Sequence, residues 1–198
     1  MKALILEHYN TTGDLKLSEK TKPTPGPNQV LIRVKNSSLN AMEWHLMRGI
    51  WVAKLKTGWS QPKEKYNVLG ADVAGEVVAV GEKITRFKIG DAVFGDIFTG
   101  ALAEFALAEE HQIAPIPVGV SHDHAAAIPV AGMTALKGVR DIGKVKEGDR
   151  VLINGASGGV GHYAVQMAKH FGGHVTAVCS GKNAEIVKNL GADEVINY

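Results

Sequence analysis

The residues with the clearest chemical meaning lie between Arg150 and Ser180, where an apolar run meets a cluster of glycines. Residues 151–153 have the continuous apolar character of a buried parallel strand, and a glycine-rich turn follows at once. A helix with an apolar stripe comes next, and residues 174–178 supply a second apolar run. Such a strand–turn–helix unit presents free backbone N–H groups at the positive end of a helix dipole, where phosphate binds.

The turn predicts a site for the pyrophosphate of a dinucleotide. The strict Gly-x-Gly-x-x-Gly pattern is absent, and Ala156-x-Gly158-x-x-Gly161 stands in its place. One glycine lets the chain turn, one lets the backbone approach the pyrophosphate, and Gly161 lets the helix pack close to the strand. A structural turn without a ligand is the alternative. The predicted cofactor-binding residues here are Ala156, Ser157, Gly158, Gly159, Val160 and Gly161.

The end of the second strand favours NADPH over NADH. An NAD site places Asp or Glu roughly 20 residues beyond the turn, where it binds the ribose 2′-OH. Here Ser180, Lys182 and Asn183 occupy that place, and no carboxylate appears before Glu185. A hydroxyl, an ammonium and an amide supply the donors and the positive charge that a 2′-phosphate needs. The alternative is a solvated loop with an ordinary surface lysine.

Composition limits the classes of function. The chain has 198 residues with 45% hydrophobic content, which fits one or two globular domains. Its net charge of +2 is interspersed, without the basic block of a nucleic-acid-binding protein. No segment is long and apolar enough to span a membrane, so neither nucleic acid nor membrane is expected as a partner. The single cysteine, Cys179, excludes an internal disulfide and predicts a cytoplasmic location.

The order of elements predicts a mixed β and α/β fold. Short strands punctuated by Gly and Pro predict a barrel-like domain over residues 1–122. Residues 123–198 are predicted to form linker helices, with a break at Pro129, and then one β-α-β-α-β half of a doubly wound parallel sheet. The predicted strands are residues 2–7, 30–35, 72–80, 91–94, 102–107, 151–153, 174–178 and 194–198, and the predicted helices include residues 121–127 and 133–139.

In order and spacing, several segments resemble the N-terminal part of a medium-chain dehydrogenase/reductase of the zinc-free, quinone-oxidoreductase-like (zeta-crystallin-like) branch. The resemblance implies a GroES-like β-barrel catalytic domain, the first half of a Rossmann domain, NADPH bound in the cleft between them, and a longer chain than this one. The segments are NAMEWHLMRG (40–49), LGADVAGEVVAVG (69–81), GDAVFG (90–95), IPVAGMTAL (128–136), NGASGGVG (154–161) and LGADEVINY (190–198).

The resemblance also implies roles for single residues. Asn40 would lie near the nicotinamide ribose and the substrate, Thr134 at the nicotinamide end, and Tyr198 near the adenosine. From the residues alone, Asn40 is equally a turn or capping residue, Thr134 an ordinary helix hydroxyl, and Tyr198 a frayed terminus. His45 is a weak candidate for the proton donor, against a structural role or delivery of the proton by solvent.

Zinc is not expected. The related zinc alcohol dehydrogenases carry a Cys near position 40, Gly-His-Glu where this chain has Gly70-Ala71-Asp72, and a Cys near Pro129. A catalytic zinc needs three protein ligands, and these are missing here. We therefore predict no metal site, and a zinc-dependent alcohol dehydrogenase is the least favoured alternative.

The expected activity is metal-free transfer of hydride from NADPH to a quinone or an α,β-unsaturated carbonyl, with little turnover by a chain truncated to 198 residues. A non-catalytic nucleotide-binding or interaction module is the alternative from another class. The exposed edge of the half-sheet predicts a homo-oligomer. Trp44, Trp51 and Trp59 lie in or beside a predicted loop, residues 50–66, where packing is the usual role and a wall of the substrate site is the alternative.

Overall fold

The chain folds into two compact units, Met1–Pro129 and Val130–Tyr198, in a computed structural model that describes residues 1–10 and 14–198. Contacts between residues divide the chain after Pro129. The predicted domain limit after residue 122 stays a prediction. Of the residues described, no helix is long and apolar enough to cross a lipid bilayer.

The first unit is built on antiparallel strands. Strands β1 and β2 form a two-stranded sheet, and the five strands that follow form a second sheet in the order β6-β3-β4-β5-β7. Alternate side chains point into one core, so Val30 and Ile32 of β3 pack with Val73 and Val77 of β4. The strands are β1 (Lys2–Ile5), β2 (Lys16–Glu19), β3 (Gln29–Asn36), β4 (Asp72–Val80), β5 (Ala92–Asp96), β6 (Phe105–Glu109) and β7 (Ile113–Pro115).

Three short helices accompany these strands: α1 (Ala41–Met47), α2 (Trp51–Thr57) and α3 (His122–Ala126). Helix α3 packs Ala125 and Ala126 against Ala74 of β4, which is why it clusters with the first unit. The prediction that residues 50–66 form a loop was wrong for Trp51–Thr57, where alanine, leucine and lysine favour a helix.

The second unit confirms the predicted β-α-β-α-β order. Its three parallel strands lie in the order β10-β9-β8, so the first strand forms an edge. The predicted break at Pro129 is confirmed, since α3 ends at Ala126 and a new helix, α4, begins at Pro129, where the first helical position needs no backbone N–H. A π-helical segment, Lys137–Ile142, follows α4. The elements are α4 (Pro129–Leu136), β8 (Arg150–Asn154), α5 (Gly159–His170), β9 (His174–Cys179), α6 (Ala184–Asn189) and β10 (Glu194–Asn197).

The central strand β9 carries the core of the second unit. Val175, Ala177 and Cys179 are fully buried there, and α5 packs Val165 and Ala168 into the same cluster. The prediction that residues 151–153 form a buried strand was wrong for Leu152 of β8, which is exposed, and in the described part of the chain β8 has a partner strand only on its β9 side. The predicted pairing of this edge with another copy stays a prediction.

Candidate functional site

A tight turn joins β8 to α5 and brings the predicted glycines together. The Ala156 N–H donates to the Val178 carbonyl at 3.0 Å, and the Gly158 N–H donates to the Gly155 carbonyl at 2.9 Å. A Cβ on Gly161 would lie 2.2 Å from the Gly155 carbonyl oxygen and 2.8 Å from the Ala156 Cα. Only glycine therefore allows the first turn of α5 to pack so closely against the strand end.

The outer side of this turn is bare. Gly158 is the N-cap of α5, and a Cβ on Gly159 would meet no atom within 4 Å. The first N–H groups of a helix have no carbonyl partner inside the helix. Ser157 and Gly161 are half-buried beside them, Val160 is exposed, and Ala156 is buried. The turn can thus accept an anionic group such as a pyrophosphate close to its backbone.

The predicted 2′-phosphate residues lie against the glycine turn. The Asn183 side-chain amide donates to the Ser157 hydroxyl at 3.0 Å and to the Ser180 hydroxyl at 3.2 Å. Lys182 is exposed on the 3-10 turn Gly181–Asn183 and has no ion pair within residues 1–10 and 14–198. Three polar side chains and one cation therefore cluster at the ends of β8 and β9. The link from Asn183 to Ser157 was missed in the sequence because it joins two separate loops.

The remaining predicted residues of the second unit are less closely connected. Strands β9 and β10 are parallel, and Asn197 of β10 lies opposite Cys179 of β9. The exposed Tyr198 therefore follows the carboxyl end of β10, beside Ser180 at the carboxyl end of β9. The Thr134 hydroxyl donates to the Val130 carbonyl at 2.6 Å, one turn earlier in α4. No hydrogen bond among the described residues joins Thr134 to the glycine turn. Its predicted contact with the nicotinamide stays a prediction.

In the first unit, the half-buried Asn40 belongs to a network of polar side chains that reaches into the core. It caps α1 in a capping box, and its backbone N–H donates to Glu43 Oε2 at 2.7 Å. Its side-chain Nδ2 donates to Asp72 Oδ2 at 2.9 Å, and the Ser38 hydroxyl donates to the same oxygen. Asp72 is fully buried at the start of β4. The network fixes the Asn40 amide, with its nitrogen toward Asp72.

Glu43 connects α1 by a hydrogen bond to the residue just before β4. Its Oε1 accepts the Ala71 N–H at 3.0 Å, and the side chain is buried. Burial raises the pKa of Glu43, the N–H groups of Asn40 and Ala71 oppose that rise, and the negative charge of Asp72 adds to it. Neither Glu43 nor Asp72 was predicted as a site residue from sequence, although the Asn40-x-x-Glu43 spacing is a capping signature.

The residues at the positions of the zinc ligands in related zinc alcohol dehydrogenases do not fit zinc. Ala71 offers only a methyl group, and Asp72 Oδ2 already accepts two hydrogen bonds. No group of three His, Cys, Asp or Glu side chains could hold a metal ion in the part of the chain that the structure describes. His45 lies exposed on α1 and is not part of the Asn40 network.

Replacing Glu43 with glutamine should change how stability depends on pH. Because the folded carboxyl has a raised pKa, the folded protein keeps a proton that the unfolded chain has lost just above the ordinary value of 4.5. The Glu43 contribution to the free energy of unfolding therefore falls as pH rises through this window. Chemical denaturation at a series of pH values should show the advantage of wild type over Glu43→Gln shrinking from pH 4.5 upward. A constant difference would contradict the assigned burial effect.

Comparison with known proteins identifies the family. A family model described as the alcohol dehydrogenase GroES-like domain matches residues 26–118, and one described as zinc-binding dehydrogenase matches residues 159–198. The chain belongs to the medium-chain dehydrogenase/reductase family. The first unit accordingly has the GroES-like fold and the second begins a Rossmann-like domain, as the sequence resemblance implied.

Several relatives of this chain are described as quinone oxidoreductases. A chloroplastic quinone-oxidoreductase homolog of Spinacia oleracea is 41% identical over 94% of this chain and 57% of its own length. The structure of the quinone oxidoreductase from Coxiella burnetii matches with a TM-score of 0.88 and 35% identity, over 100% of this chain and 62% of its own. An Escherichia coli quinone oxidoreductase complexed with NADPH gives a TM-score of 0.89 at 26% identity, over 100% and 59%. The chain thus spans little more than half the length of these relatives.

Proposed function

We propose that the protein is a reductase that transfers hydride from NADPH to a quinone or an α,β-unsaturated carbonyl without a metal ion. The observation that carries this proposal is the cluster of Ser157, Ser180 and Asn183 around a bare helix end, with Lys182 beside it. Names among the relatives supply the substrate class, since the Spinacia and Coxiella proteins are described as quinone oxidoreductases. The Escherichia coli structure was determined with NADPH.

The residues present fit a dinucleotide with a 2′-phosphate. The first N–H groups of α5 and the bare backbone at Gly158 and Gly159 would hold the pyrophosphate. The Ser180 hydroxyl would donate to the 2′-phosphate, Asn183 would orient that hydroxyl through its Nδ2, and Lys182 would supply the countercharge. Tyr198 would lie near the adenosine and Thr134 near the nicotinamide.

When bound, NADPH supplies the hydride, so the chain has to position the acceptor and manage one proton. We assign Asn40 to contacts with the substrate and the nicotinamide ribose. Its Nδ2 is held by Asp72, so its amide needs no rearrangement when a ligand binds. The proton that completes the reduction comes either from solvent or from the exposed His45. We keep the homo-oligomer and the cytoplasmic location as proposals, although the Spinacia relative is described as chloroplastic.

Replacing Lys182 with alanine should raise the KM for NADPH about 10- to 100-fold in quinone reduction and leave the KM for NADH unchanged. The loss is selective because only NADPH carries the 2′-phosphate. The measurement is initial rates of NADPH and NADH oxidation with a simple quinone, using the natural protein that contains this chain. Lys188→Ala, an exposed lysine of α6, is the matched control and should change neither KM.

Two outcomes would contradict the proposal in different ways. An equal loss for both cofactors would show that Lys182 does not bind the 2′-phosphate. Binding of NADPH without reduction of any quinone or enone would instead favour a non-catalytic nucleotide-binding module.

A further inference from the structure

Helix α2 presents its large apolar side chains outward. Trp51 and Leu55 are 69% and 66% exposed, and Val52 is exposed between them. Only Thr57 is fully inward, where its hydroxyl meets the Tyr9 hydroxyl at 2.8 Å. A helix of a globular protein normally shows the opposite arrangement, with its apolar stripe against the core. The outward stripe is therefore a feature that the folding of this unit does not explain.

All three tryptophans of the chain are exposed and lie on α1, on α2 or just after α2, within residues 44–59. Trp44 is 43% exposed and Trp59 is 68% exposed, in addition to Trp51. Tryptophan is usually among the more buried residues on average. Exposed tryptophans with one apolar and one polar end are typical of the boundary between lipid and water. The term tryptophan surface is used for five exposed apolar residues, Trp44, Trp51, Val52, Leu55 and Trp59.

The segment that carries the tryptophan surface is positively charged. Residues 41–66 contain five basic residues and two acidic ones, a formal charge of +3, whereas the whole chain carries +2. One of the two acids, Glu43, is buried, so only Glu64 opposes the basic residues at the surface. The basic residues are Arg48, Lys54, Lys56, Lys63 and Lys65.

Aromatic rings hold two of these basic side chains, Lys54 and Lys56, beside the apolar stripe. Lys54 and Lys56 lie on either flank of the stripe formed by Trp51, Val52 and Leu55, by helical geometry. The Lys54 Nζ lies 5.1 Å from the centre of the Tyr9 ring, and the Lys56 Nζ lies 3.4 Å from that of Phe98. Basic side chains that flank an apolar face can bind anionic headgroups while the apolar groups enter the interface.

We propose that the tryptophan surface binds a membrane that contains anionic lipids, with the apolar stripe of α2 lying in the headgroup region. The charge of +3 complements an anionic leaflet. A protein partner fits less well, because lysine is depleted from protein–protein interfaces while this surface is rich in it. The proposal concerns attachment to one leaflet and not a spanning helix, so it replaces the expectation from sequence that no membrane is a partner. It stands independently of the proposed reductase activity.

The three tryptophans of this chain report the result, as the difference in emission between wild type and a variant in which Trp44, Trp51 and Trp59 are all replaced by phenylalanine. The full natural protein is mixed with vesicles of phosphatidylcholine alone or with phosphatidylglycerol added. Emission should shift to the blue, and lipids brominated on their acyl chains should quench it, only when phosphatidylglycerol is present. High salt should release the protein, because screening weakens surface attraction. Sedimentation with the vesicles gives the affinity.

Two sets of substitutions test the two components of binding. Trp51→Ser with Leu55→Ser should weaken binding about tenfold or more, through loss of apolar burial. Lys56→Gln with Lys63→Gln and Lys65→Gln should weaken it about a hundredfold, through loss of attraction to anionic lipid. Ile89→Ser is the matched control, because Ile89 is a similarly exposed apolar residue of the same unit, and it should bind like wild type.

Three results would overturn the proposal. One is failure to bind anionic vesicles. Another is binding that the tryptophan and lysine substitutions leave unchanged. The last is tryptophan emission that is already blue-shifted and shielded from iodide without vesicles, which would show that protein covers this surface, either a second copy or another part of the natural chain.

Discussion

Replacing Gly161 with alanine should lower the free energy of unfolding of the second unit by about 3 kcal/mol and abolish binding of NADPH. The added methyl group would lie 2.2 Å from the Gly155 carbonyl oxygen and against the Ala156 backbone, neither of which can turn aside as a flexible side chain does. The turn must therefore move, and the first N–H groups of α5 move with it. Chemical denaturation and equilibrium binding of NADPH measure the two effects.

Gly159→Ala is the matched control, because it adds the same methyl group two residues earlier in open space. Stability should stay the same or rise by about 0.5 kcal/mol, since alanine restricts the unfolded chain. Binding of NADPH should nevertheless weaken if the pyrophosphate lies against this backbone. A Gly161→Ala variant as stable as wild type would contradict the packing role of Gly161. Unchanged binding in Gly159→Ala would contradict the proposed ligand position.

Replacing Asp72 with alanine should lower the free energy of unfolding of the first unit by about 3 kcal/mol. Asp72 is fully buried, and its Oδ2 accepts hydrogen bonds from the Ser38 hydroxyl and the Asn40 amide. Without the carboxylate, both donors lose their acceptor and Asn40 loses the contact that orients it. We expect quinone turnover to fall together with stability, as measured by kcat and by chemical denaturation.

The conservative variant Asp72→Asn separates orientation from folding. Its amide oxygen can still accept from Ser38 and Asn40, so it should recover most of the stability that Asp72→Ala loses. If Asn40 contacts the substrate, turnover should recover in parallel. Turnover that stays at the wild-type level in Asp72→Ala would show that the orientation of Asn40 does not matter for the reaction.

The second unit could be predicted almost completely from sequence because its signals are local. The apolar strands, the glycine turn and the stripe on α5 each lie within a few consecutive residues, and the structure confirms their order. Ser180, Lys182 and Asn183 follow the end of β9, as the local pattern predicted, and their binding of a 2′-phosphate stays a prediction. Their connection to Ser157 depends on parallel pairing of β8 with β9, which no local pattern states.

The first unit was predicted less well, since its site depends on contacts between distant residues. Asn40 and Asp72 are separated by the whole of α1, α2 and a long connection, so only the folded chain shows that they meet. Helix α2 escaped detection because it is only seven residues long and its N-cap residue, Ile50, offers no capping side chain, so the usual start signal of a helix is missing. Strand β6 begins at Phe105, later than the predicted start at Leu102, whose N–H pairs instead with the Leu69 carbonyl.

Labelling of Cys179 can measure local opening of the second unit. Cys179 is the single thiol of the chain, and it is fully buried on the central strand immediately before Ser180. A thiol reagent can reach it only when that strand separates from its neighbours, so the labelling rate measures the free energy of local opening. A ligand that binds only the closed unit slows labelling by the factor 1 + [L]/Kd, which makes a single cysteine sufficient to titrate dinucleotide affinity without any assay of catalysis.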